Sequence, residues 1–91
     1  MTLDPIAPNP FRQATRIRFG LARTGSASLE IFDPAGRLVA KPIDRASLAP
    51  GYHTLTWDGT TSAGERAPSG MYFCRLVSDE GVLTRRVVRL E

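Results

Sequence analysis

The sequence predicts an all-β chain folded as a two-layer antiparallel sandwich, and three observations predict it. Apolar residues recur with a period of two wherever the chain is not turn-like. Clusters of Gly, Pro, Asp and Ser separate these segments at short, regular intervals. No stretch carries the 3.6-residue period of an amphipathic helix. About seven short strands are therefore expected, arranged in two sheets around one core. The 91 residues are expected to form one domain, 1–91, because chains seldom divide into separate cores below a couple of hundred residues.

The elements follow in order. Thr15 to Leu21 sets Ile17, Phe19 and Leu21 against Arg16, Arg18 and Gly20, the pattern of a strand with one face in a core. Ala27 to Asp33 repeats it with Ala27, Leu29 and Ile31 inward. Asp33-Pro34-Ala35-Gly36 then reads as a turn, since Asp caps locally, Pro fixes φ and Gly accepts positive φ. Arg37 to Ile43 returns as the partner strand, and Pro42, which lacks an N–H, puts it at a sheet edge or ends its pairing there. Residues 44–50 read as a polar connection closed by Pro50-Gly51. Tyr52 to Asp58 alternates Tyr52, Thr54 and Thr56 against His53, Leu55 and Trp57. The eleven-residue Gly59 to Ser69 segment reads as a loop long enough to cross from one sheet to the other. Met71 to Ser78 and Val82 to Leu90 close the chain as a hairpin through Asp79-Glu80-Gly81, with Gly81 expected in a left-handed turn conformation.

Composition excludes several functions. Hydrophobic residues at 42% and charged ones at 23% are those of a folded globular module. No apolar run approaches the ~18 residues of a membrane span, so no membrane insertion is expected. The N-terminus lacks the basic start and apolar stretch of a signal peptide. If the protein is exported, its signal must lie upstream on a longer chain, and Met1 then marks an artificial cut and not a native start. The net charge of +3 comes from eleven arginines and Lys41. Most of these alternate with apolar residues, as Arg16 and Arg18 do, and only Arg85, Arg86 and Arg89 cluster, so no nucleic acid partner is expected.

Candidate chemistry is sparse. His53 lies in phase with Leu55 and Trp57, and Cys74 in phase with Tyr72 and Leu76, so both read as packed residues and not as a nucleophile with its base. Cys74 is the single cysteine, which leaves no internal disulfide and no cysteine-based zinc site. The run from Asp58 to Glu65 has the outline of a calcium loop, but it offers hydroxyls where a hard cation wants carboxylates. It reads as a turn in which Asp58 accepts backbone N–H bonds. An isopeptide bond would have to join Lys41 to Asn9, the only asparagine, from distant segments. The chain is expected to be no enzyme and to use no cofactor and no metal.

Taken together, certain fragments resemble a known family. Pro8-Asn9-Pro10-Phe11, Thr15-Arg16-Ile17-Arg18-Phe19, Leu29-Glu30-Ile31-Phe32-Asp33 and Gly36-Arg37-Leu38-Val39 look like the opening half of the C-terminal Ig-like sorting domains (type A) of the type IX secretion system. Gly51-Tyr52-His53, Trp57-Asp58-Gly59, Gly64 and Pro68 to Leu76 are similar both to those domains and to the FlgD-like Ig domain of the flagellar hook-cap protein. The resemblance implies an Ig-like sandwich that carries no chemistry and acts as an address label at the end of an exported cargo.

On this resemblance the sorting motif maps to Pro8, Asn9, Pro10 and Phe11, to Gly70 with Tyr72, and to Arg85 or Arg86 with Val87, Val88 and Leu90. Trp57, Asp58, Gly59 and Gly64 form its structural signature. Arginine stands before the last apolar run where lysine is commoner, and Glu91 closes the chain where an apolar or basic residue is more usual. The implied partners are the outer-membrane secretion machinery, a sortase and an upstream cargo domain. The implied location is the cell surface or the exterior, reached through the periplasm. The oligomeric state stays open between a monomer and a weak edge-strand dimer. The alternative is a structural or adhesive Ig-like module, as in the hook cap. Sorting calls for an accessible final strand; burial of Val82 to Leu90 between two others would count against it.

Overall fold

The computed structural model describes residues 1–91 and contains seven strands and no helix. These are β1 (Thr2–Leu3), β2 (Thr15–Leu21), β3 (Gly25–Phe32), β4 (Leu38–Leu48), β5 (Gly51–Trp57), β6 (Gly70–Ser78) and β7 (Gly81–Arg89). They form two antiparallel sheets, one ordered β1-β2-β5 and the other β4-β3-β6-β7. The predicted sandwich is the fold, and the 59–69 loop does cross between the sheets.

The period of two in the sequence becomes the core. Ile17 and Phe19 of β2, Leu29 and Ile31 of β3, Cys74 and Leu76 of β6 and Val87 of β7 are all fully buried. Burial at roughly 25 cal/mol per Å² of apolar surface makes this alternation the main force that joins the two sheets. On the outer face of the larger sheet, Glu30 lies opposite Arg75 and accepts from its Nη2 at 3.0 Å. Lys41 reaches the other oxygen of Glu30 at 3.7 Å, and the Arg75 guanidinium lies 4.6 Å from the Phe32 ring centre. On the outer face of the smaller sheet, the Arg18 guanidinium stacks 3.9 Å from the centre of the Tyr52 ring.

The 33–36 turn forms as read. The Asp33 carboxylate accepts from the backbone N–H of Arg37 at 2.9 Å and of Ala35 at 3.0 Å, and Gly36 takes φ +85°. The Arg37 backbone bond, with help from its guanidinium, holds the Asp33 carboxyl below the ordinary carboxylate range.

Three expectations are corrected. Residues 44–50 are not a polar connection, because β4 runs through Pro42 to Leu48 and pairs Ala46, Ser47 and Leu48 with β3. Its register shifts three times relative to β3, and each bulge inserts a residue that needs no ladder partner. Arg45 lies at φ 48° in this stretch, and its N–H is satisfied by the Ser28 hydroxyl at 2.9 Å. Pro42 does mark an edge strand, but pairing does not end there. Second, two-residue β1 adds an edge to the smaller sheet that no sequence pattern announces. Third, Gly81 takes φ +142°, positive but more extended than the left-handed value expected.

Candidate recognition surface at the final strand

The structure brings the sequence-predicted site residues to one end of the sandwich. β7 pairs only with β6, in nine consecutive register positions from Ser78↔Gly81 to Gly70↔Arg89. The strand is thus at an edge and not between two others, as the sorting reading requires. Gly70 and Tyr72 lie opposite Arg89 and Val87. The Pro8–Phe11 segment, which contains two cis X-Pro bonds, lies along the other side of β7.

That segment works as a clasp. The Asn9 side-chain amide donates through Nδ2 to the Arg86 carbonyl at 3.1 Å and accepts through Oδ1 from the Val88 N–H at 2.8 Å. It does what the backbone of one strand residue would do. The Phe11 N–H donates to the Val88 carbonyl at 2.9 Å, and the Leu90 N–H donates to the Phe11 carbonyl at 2.8 Å. In an antiparallel pair, alternate residues turn their backbone groups outward, so the clasp takes the outward groups around Val88. Those of Val82 and Thr84 lie beyond it.

An aromatic cluster anchors the clasp. The Phe11 ring centre lies 5.5 Å from that of Trp57, and the Trp57 centre lies 5.6 Å from that of Tyr72 in an edge-on arrangement. Trp57 donates its Nε1–H to the Thr60 carbonyl at 3.0 Å, and the Tyr72 hydroxyl donates to the Pro68 carbonyl. Burial pushes the Tyr72 phenol above its ordinary value. Asp58 turns the crossover loop by accepting from the hydroxyl of Thr60 at 2.6 Å and from its N–H at 3.1 Å. The same hydroxyl bond, followed by the backbone one, lowers the Asp58 carboxyl. Gly64 takes φ +85° in this loop. Gly59 takes φ +79°, and a Cβ there would also come within 2.8 Å of Arg89 Nε.

The basic residues separate. Arg86 is exposed on the outer face, while Arg85 donates its Nε–H to the Leu3 carbonyl at 2.8 Å and ties β7 to β1. Sequence reasoning grouped Arg89 with Arg85 and Arg86 and gave it no role in the site, yet it is only 5% exposed. The signal was present, since Arg89 falls in phase with Leu83 and Val87 on the inward side of β7.

The groups weighed for chemistry serve packing. Cys74 is fully buried, and loss of solvation pushes its thiol up to about 12. His53 stacks on Phe19 with ring centres 5.4 Å apart, and its Nε2 lies 2.8 Å from the Ala49 carbonyl oxygen. Lys41 binds Glu30 and Asp44, whereas Asn9 is occupied at β7. No group of three or more His, Cys, Asp and Glu side chains could hold a metal ion.

Comparison with known proteins places the fold. A family described as the FlgD Ig-like domain matches residues 8–81. The basal-body rod modification protein FlgD of Escherichia coli K12 is 40% identical over 43 residues, which is 47% of this chain and 19% of that protein. Two solved structures superpose over nearly the whole chain. Dimeric latent PorU from Porphyromonas gingivalis gives a TM-score of 0.72 at 20% identity, covering 97% of this chain and 9% of that one. PorZ from the same organism, described as an essential bacterial surface component of the type IX secretion system, gives 0.67 at 21%, covering 98% and 11%. The chain therefore spans about a fifth or less of the length of each of these proteins.

Proposed function

The chain belongs to the FlgD Ig-like domain family, and from that premise we propose that it is a non-catalytic sorting domain. In this reading it directs a cargo on the same polypeptide through the type IX outer-membrane machinery to the cell surface. One observation carries the proposal. Motif residues from three distant parts of the sequence, Pro8–Phe11, Gly70 with Tyr72, and Arg85–Leu90, assemble around a single strand, β7. Similarity of fold to a small part of PorU and of PorZ, the latter a surface component of the type IX secretion system, supports it.

The geometry also suggests how recognition would work. The outward backbone groups of Val82 and Thr84 continue the edge beyond the clasp, and Val82 is 58% exposed. A strand of the export machinery would add there, with backbone bonds for affinity and Arg86 for orientation. A second reading, a structural module like that of the flagellar hook cap, is favoured by the 40% identity to FlgD.

One experiment separates them. Residues 1–91 are fused behind a signal peptide and a fluorescent protein in a bacterium with type IX secretion, beside Thr84→Pro, which removes an edge donor without touching the β6 pairing. Surface fluorescence of the intact fusion, lost in Thr84→Pro while the folded fusion accumulates in the periplasm, is the expected result. Retention of the intact fusion, with a domain from the host's own cargo displayed normally, would leave the structural module as the function.

A further inference from the structure

The same end of the sandwich holds a feature that recognition of the strand edge does not use. A cavity of about 520 Å³ opens beside the last strand. Three arginines line it from three segments: Arg12 just after the clasp, Arg66 in the crossover loop and Arg89 in β7. Glu91 is the only acidic residue in its wall. None of the six ion pairs elsewhere in the molecule involves any of these arginines. Arg12 donates to the main-chain carboxylate of Glu91, and Arg66 donates through Nη2 to the Arg12 carbonyl at 3.1 Å. The Arg12 carbonyl fixes Arg66 in place without cancelling its charge, whereas Arg12 is held by the main-chain carboxylate of Glu91.

Arg89 is the strongest indication. It is 5% exposed, and its buried Nε has no hydrogen-bond partner within the protein. Burying a guanidinium without a counter-charge is costly. Packing gives no reason for a cation here, because its neighbours include Gly59 and Phe11 and an aliphatic side chain would fill the same space without the desolvation cost.

We propose that this cavity is a binding site for a phosphoryl group, with Arg89 supplying the buried charge and Arg12 and Arg66 holding the outer oxygens. Guanidinium forks match phosphate oxygens two at a time. The donors select the ligand class. Guanidiniums converging from three segments call for an anion with three or more acceptor oxygens, which a phosphoryl group has and a carboxylate does not. The site is independent of the export reading and stands or falls separately.

The test follows the arginine Nε–H resonances of the full chain by NMR near neutral pH, with inorganic phosphate titrated against sodium chloride at matched ionic strength. The Arg89 resonance is expected to shift and saturate with phosphate while those of exposed Arg16 and Arg23 follow the chloride baseline. Arg66→Gln, a loop change clear of the core, should weaken phosphate binding about tenfold, the loss expected for one charge-assisted contact. Glu91→Gln should strengthen it by removing the opposing charge. Glucose 1-phosphate, and vesicles of phosphatidic acid in phosphatidylcholine, then assign the source as a sugar phosphate or a lipid headgroup; if neither reproduces the shift, the free ion is the ligand. The proposal is overturned if Arg89 does not respond, if all arginines respond alike, if Arg66→Gln binds unchanged, if Glu91→Gln binds more weakly, or if acetate binds as well as phosphate.

Discussion

The larger sheet has two edges, and the molecule treats them in opposite ways. β4 is made a poor pairing partner from within, by Pro42, three register shifts and the left-handed backbone at Arg45. β7 keeps a regular ladder along its whole length, and the second half of its free side is covered from outside, by Asn9 and Phe11. Both devices answer the same hazard, since an open edge is a template for unwanted strand addition. The difference lies in permanence. Irregularity built into β4 cannot be removed without changing its sequence, whereas the clasp on β7 is a separate segment held by a few hydrogen bonds and one aromatic cluster.

The largest expected effect tests that cluster. Trp57→Ala removes the ring that joins Phe11 to Tyr72 and should cost about 3 to 5 kcal/mol. Ile43→Ala, at a half-buried site on β4, should cost about 1 kcal/mol. Urea denaturation measures both, and equal losses would break the contrast between an anchored edge and an irregular one.

Cys74, on β6 between the two edges, gives the next effect. Its thiol is pushed up to about 12 from an ordinary 9.0. The unfolded chain therefore loses this proton at lower pH than the folded one. Stability from this group is fully present below pH 9.0 and falls as the pH rises toward about 12, by about 1.4 kcal/mol per pH unit. Urea midpoints across that interval should decline more steeply for the natural chain than for Cys74→Ala. Matching declines would mean that the thiol is not desolvated in solution.

Asn9→Ala should cost about 1 kcal/mol, because the two backbone groups it releases can turn to water. It should also speed hydrogen exchange at the Val88 amide and leave the Arg45 amide, held by Ser28, unchanged. The smallest change in stability, within about 0.5 kcal/mol, is expected for Pro42→Thr. That variant restores an N–H to β4 and should self-associate more in light scattering. If it stays as monomeric as the natural chain, the bulges alone protect that edge.

The sequence made some of this architecture plain and hid the rest. Strands with one buried face, such as β2 and β6, announce themselves because alternation and burial are the same fact. β4 was cut short because Pro42 and the polar residues after it look like a connection. An edge strand needs partners on one side only, and bulges absorb the residues that do not fit. The members of the recognition surface were readable as fragments, through resemblance to a family. Their assembly was not, because the decisive contact is a side-chain amide standing in for a strand backbone, and nothing local distinguishes Asn9 from any loop asparagine. Arg89 was grouped by its charge with Arg85 and Arg86, although its phase placed it inward.

The clasp also decides how the domain bears load. Phe11 bridges Arg89 in parallel, so the leading and closing segments run the same way where they touch. Tension between the two ends of the chain pulls these segments in opposite directions along their shared axis. The hydrogen bonds that Asn9 and Phe11 make to Arg86, Val88 and Leu90 are then sheared together instead of opened one after another. In a domain carried between other segments of a polypeptide, this makes the fold mechanically stiffest along the line on which its neighbours would pull.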